Sequence, residues 1–128
     1  MRAVFEEQRG FCSKSDLQVI WKKLACKVTD TTPEQLADRS KISNDQKPAF
    51  GQWQQYIRDT NEKVAAIYLQ YDTKNGQAVA SALQDAAADV VRLASELANG
   101  GITWGEFNKR RVELYKKAQE SQKIALNS

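Results

Sequence analysis

Histidine is missing from the side chains that could do chemistry: the 128 residues contain none. Its absence removes imidazole general acid–base catalysis, Ser–His and Cys–His nucleophile pairs, and the commonest transition-metal ligand. Paired carboxylates are what remain. Asp85 and Asp89 stand four residues apart and Glu113 and Glu120 seven apart, so each pair shares a helix face. A carboxylate-dependent enzyme such as a glycan hydrolase needs two acids converging across a cleft. Pairs along one solvated helix are common without that role. No catalytic, cofactor-binding or metal-binding residue is assigned, and the chain is read as a non-enzyme.

Cys12 and Cys26 are the two cysteines. Without histidine they fall short of a four-ligand zinc site. An even pair in a small domain suggests one disulfide and an oxidising compartment, so the expected location is periplasmic or otherwise extracytoplasmic. Two reduced, partly buried thiols are the alternative. The first residues, MRAVFEEQRG, carry no apolar stretch of a secretory leader, which a cytosolic start would share. On one straight helix the two Cα atoms would lie about 21 Å apart at 1.5 Å per residue. A disulfide needs them within about 7 Å. The chain must therefore break between them if the bridge forms. The segment carrying Phe5, Phe11 and Cys12 is expected to fold back over the outer side of a first helix.

The stretch NGGITWGEFNKRRVEL, residues 99–114, invites comparison with a phosphate-binding loop. Gly100, Gly101 and Gly105 fit neither G-x-x-x-x-G-K-[ST] nor G-x-G-x-x-G. Local structure accounts for them better. Gly100 or Gly101 stops one helix, Thr103 caps the next, and Glu106 closes a capping box three residues on. Ile102 and Phe107 have the spacing of a hydrophobic staple. Trp104 has two readings: an exposed interface anchor, or a plug on the bundle end against Leu97 or Ile102.

Residues 109–123 hold six basic side chains against two acidic ones. Trp104, Lys109, Arg110, Lys116 and Lys117 are the candidate interaction residues. A basic amphipathic helix can meet nucleic acid, an anionic membrane surface or an acidic protein. A net charge of only +3 argues against nucleic acid, as does having Tyr115 alone for base stacking. The bland alternative is a solvated face whose charge pairs with Asp85, Asp89 and Glu96.

Hydrophobic periodicity supplies the elements that position these residues. Phe50, Trp53, Ile57, Thr60, Val64, Ile67 and Tyr71 recur at intervals of three and four, a coiled-coil-like seam. Val79, Leu83, Ala86, Val90, Leu93 and Leu97 form a second seam; Phe107, Arg111, Leu114, Ala118, Ser121 and Ala125 form a weaker third. Asn75-Gly76 and Asn99-Gly100-Gly101 read as helix stops. The expected fold is all-α, an antiparallel bundle of long helices at 48–72, 77–98 and 103–125 in one domain, 1–128. Residues 1–15 form an N-terminal flap, and one or two shorter helices fall within 16–47. Leu17, Ile20, Trp21, Leu24 and Val28 mark a helix near 16–28. Thr32, Pro33 and Gln35 mark a capped start that contributes Leu36. Ser43 and Gln46 offer another capping box, so either Pro48 distorts a first turn or the long helix begins at Pro48. Trp21 and Trp53 lie on apolar faces and are assigned to the core. With 41% hydrophobic and 27% charged residues the chain can bury a core, and no apolar run is long enough to span a membrane.

Residues 93–117, LASELANGGITWGEFNKRRVELYKK, resemble the short C-terminal domain (SHOCT) family. Leu93, Leu97, Gly101, Ile102, Thr103, Glu106, Phe107, Arg110, Arg111 and Leu114 occupy matching positions. Members of that family usually carry an acidic residue where this chain has Gly105 and no tryptophan at Trp104. The resemblance implies a helical hairpin used for oligomerisation or attachment, without catalytic residues. The chain as a whole is only loosely similar to small helical bacterial envelope proteins. The function read from these features is a non-enzymatic protein-interaction or structural module of the bacterial envelope, with a protein partner or a second copy of the chain. An immunity or inhibitor protein that neutralises a toxin or hydrolase is the nearest alternative.

Overall fold

The computed structural model describes Glu6, 9–71 and 74–127. Its short elements come first: a 3-10 turn Ser15–Leu17 running into α1 (Gln18–Trp21), a 3-10 turn Val28–Asp30, and α2 (Pro33–Leu36). Three long helices follow, α3 (Lys47–Tyr71), α4 (Gly76–Ala98) and α5 (Trp104–Asn127). The protein is an all-α bundle, and no strand occurs among the described residues. α4 is the central helix. α3 and α5 both pack along it and have little backbone contact with each other.

The principal core lies at the end of the bundle where the N-terminal segment docks. Leu17, Ile20 and Leu24 meet Phe50, Trp53, Leu93, Leu97, Trp104 and Phe107 there. Phe50 sits edge-on to both Trp104 and Phe107, each with ring centroids 5.6 Å apart, the geometry favoured by ring quadrupoles. A smaller cluster of Ala65, Val79, Ala80, Leu83 and Ala125 closes the other end. Between the two, the expected seams thin out. Ile57, Thr60, Ala86, Val90, Leu114 and Ala118 are only half-buried, because no described residue fills the side of α4 left between α3 and α5. Tyr71, the last seam residue of α3, has a side chain outside the described set.

Several expectations need correction. The first helix does not extend over 16–28. Regular α-helix stops at Trp21, and residues 22–27 turn so that Cys26 reaches back to Cys12. The two are disulfide-bonded with Cα atoms 5.8 Å apart, and the chain does break between them, at residues 13–14. Among its described residues, the flap is not merely an outer cover. Phe11 enters the principal core, stacked on Tyr56 at 3.9 Å and edge-on to Trp21 at 6.0 Å; Phe5 lies outside the described residues. Asn75-Gly76 starts α4 rather than stopping α3. α2 buries Gln35, while Leu36 is half-buried. α3 begins at Lys47, one residue before Pro48. Ser43 N–H donates to Gln46 Oε1 at 2.9 Å, so one arm of the suggested box precedes the helix.

Candidate functional site

The corner at 99–107 resolves into backbone chemistry. Gly100 adopts φ +74°, the left-handed conformation that glycine tolerates. Its N–H donates to Leu97 O at 3.0 Å and that of Gly101 to Glu96 O at 2.9 Å, the paired bonds of a Schellman stop. Thr103 and Glu106 cap α5 reciprocally: Glu106 N–H donates to Thr103 Oγ1 at 3.2 Å and Thr103 N–H to Glu106 Oε1 at 3.4 Å. The next two N–H groups reach across the molecule, Trp104 to Ser40 O and Gly105 to Asp38 O, each at 2.8 Å. All four donors that a helix start leaves free are thereby occupied, and none is left to grip a phosphate.

Trp104 is buried completely, with Nε1–H donating to Gln46 Oε1 at 3.2 Å. It is therefore a plug in the bundle end, not an exposed anchor. The 38–40 segment that α5 docks on is itself held by charge. Asp38 accepts from Lys23 Nζ at 2.9 Å, from Ser40 N–H at 2.8 Å and from the Ser40 hydroxyl at 2.5 Å. Burial alone would raise its carboxyl; the Ser40 and Lys23 hydrogen bonds and the lysine charge outweigh this and hold it below the usual value.

The basic face of α5 is smaller than its composition implies. Arg110 pairs with Glu96 at 2.6 Å and Lys117 with Asp89 at 3.4 Å, and Asp89 also pairs with Arg92. Arg111 turns inward and is buried. Lys109, Lys116 and Lys123 remain exposed, but Glu113 and Glu120 alternate with them along one stripe. Opposite charges at these spacings offset each other. The acids are spread likewise: Asp85 and Asp89 lie along α4, with Asp89 in ion pairs, and Glu113 and Glu120 stand on the outer face of α5. Among the described residues no group of three or more potential metal ligands converges.

Two side chains of α5 have unexpected weight. Asn108, fully buried, donates through Nδ2 to Lys23 O at 2.7 Å and Gln35 O at 2.9 Å. Arg111 donates to Ala25 O at 2.5 Å through Nη1 and to Cys26 O at 3.2 Å through Nη2. Its guanidinium lies 5.3 Å from the centroid of the Trp53 ring, within cation–π range. It thus ties α5 to the turn that carries the disulfide. Burial lowers its pKa to about 10, which leaves it a cation at neutral pH. The signal for Arg111 was present in the sequence, since it occupies a seam position between Phe107 and Leu114. Asn108 had none.

A concavity lies where the seams thin out. It is a groove of about 570 Å³ between α3 and α5, floored by α4 and closed at one end by residues 26–29. Smaller hollows of about 420 and 330 Å³ lie on the other side of the α4–α5 contact. No protein-family model, curated protein or solved structure matches the chain.

Proposed function

We propose that the chain is a non-enzymatic protein-interaction or structural module of the bacterial envelope, and that it meets its partner through the end of the bundle remote from the disulfide. The observation that carries this reading is the placement of Leu69, Ile124 and Leu126, which are 53%, 62% and 46% exposed. All three belong to one end, because Asn75 Nδ2 at the start of α4 donates to Leu126 O at 3.0 Å. Scattered exposed apolar side chains are ordinary; three large ones gathered at one end favour a contact surface. The disulfide supports an oxidising compartment, and no described helix is long and apolar enough to cross a membrane. The likeness of residues 93–117 to SHOCT hairpins, which serve attachment and self-association, points the same way.

The test is the double variant Ile124→Glu, Leu126→Glu. Sedimentation and capture from bacterial envelope extract are compared with the unaltered chain. Loss of self-association or of a specific captured protein, at an unchanged thermal midpoint, supports the reading. Identical sedimentation and identical captured proteins from both chains overturn it.

A further inference from the structure

The groove between α3 and α5 has features that contact between proteins at the far end does not use. Its body is apolar, with Leu83 and Val90 on the floor and Ile57 and Leu114 on the walls. Among the described residues its lining includes two cations, Arg111 and Lys27, and no carboxylate. Arg111 is 8% exposed and, among the described residues, takes part in no ion pair. Its bonds to Ala25 O and Cys26 O use two of the five N–H groups of a guanidinium. A buried charge is costly without an opposite charge beside it, and here the opposite charge is not supplied by the described protein.

We propose that this groove binds a small amphipathic monocarboxylate, with its carboxylate at Arg111 and its apolar body along Leu83, Val90 and Leu114. A guanidinium fork matches the planar carboxylate better than it matches a spherical anion. The volume of about 570 Å³ falls in the range of small-molecule sites. Charge and size therefore both favour a free small ligand. Carbonyl acceptors at one edge of the guanidinium and the Trp53 ring on its face keep the cation in place before any ligand arrives. The groove is independent of the Leu69, Ile124 and Leu126 surface.

The experiment is calorimetric titration of the oxidised, full-length chain with decanoate, decan-1-ol and acetate. Decanoate is expected to bind saturably at one site, about tenfold or more tighter than the alcohol, which has the body without the charge. Acetate, with the charge and no body, is expected to show no saturation. Val90→Phe, which fills the floor from a half-buried position, should abolish decanoate binding while circular dichroism and thermal midpoint stay near those of the unaltered chain. Arg111→Gln should bring decanoate and decanol to equal affinity. If that variant does not fold, the three-ligand comparison on the unaltered chain decides alone. Equal affinity for decanoate and decanol, absence of saturable decanoate binding, or undiminished binding by folded Val90→Phe overturns the proposal.

Discussion

The backbone of Gly105 lies directly against the carbonyl of Asp38. Its N–H donates to that oxygen at 2.8 Å, and a Cβ built on it would fall 2.5 Å from Asp38 O and 2.7 Å from Leu36 O. Any side chain here would push the 36–40 segment off the start of α5. Gly105→Ala should therefore destabilise the protein by about 2 kcal/mol, overpacking and a lost hydrogen bond outweighing the helix propensity gained. Gly51 is the control. It sits in α3, exposed, and a Cβ there meets nothing within 4 Å, so Gly51→Ala should stabilise by about 1 kcal/mol. Urea unfolding of both variants checks the opposite signs.

This contact also shows which parts of the fold the sequence reveals. The three seams, the Thr32–Gln35 and Thr103–Glu106 boxes and the Gly100 stop depend on neighbours within a turn or two, so their residue types announce them. The docking of Ser40 and Asp38 onto Trp104 and Gly105 runs through backbone atoms more than sixty residues apart, and backbone atoms carry no residue signature. Gly105 and Trp104 are the positions where that docking demands a bare Cα and a large plug. The candidate site divides along the same line. Arg111 stands in a seam where charge is out of place and could be noticed. The groove it lines arises from the separation of α3 and α5, which no single helix encodes. Asn75-Gly76 misled because the same pair serves a helix stop and a helix start.

Asp38 sets an acid dependence. Its carboxyl titrates below the ordinary value of 3.8, so its contribution is fully present above that value and is lost as pH falls through the lower folded one. Asp38→Asn should lower stability near neutral pH by about 1 kcal/mol. The gap to the unaltered chain should narrow below about pH 4 and close once Asp38 is protonated. Chemical denaturation midpoints at pH 7, 4 and 2 measure it. A gap that widens toward acid would contradict the assignment.

The disulfide closes a loop between residues 14 positions apart, for which restriction of the unfolded chain gives about 3 kcal/mol. Reduction should lower the denaturation midpoint accordingly. The helical signal under native conditions should persist, because Phe11, Leu17, Ile20 and Leu24 hold the segment to the core without it. A thiol assay on denatured, unreduced protein should detect no reactive cysteine.

Arg111 and Asn108 stand nearly one turn apart on α5 and supply donors to four backbone carbonyls, those of Lys23, Ala25, Cys26 and Gln35. Replacing Arg111 with an apolar side chain strips Ala25 O and Cys26 O of their side-chain donors, and replacing Asn108 strips Lys23 O and leaves Gln35 O only its backbone donors at residues 37 and 38. Arg111→Met and Asn108→Ala should each cost about 2–3 kcal/mol. Arg111→Lys keeps the charge and loses the fork that spans two acceptors, so it should recover about half of the loss. Both residues hold the same 23–35 segment, and once one tie is cut the other has less structure to hold. The double variant should therefore lose less than the two single losses combined, with a coupling of about 1 kcal/mol. Urea midpoints of the four chains measure that coupling. Strict additivity would mean that the two ties stabilise separate pieces of the N-terminal segment rather than one docked unit.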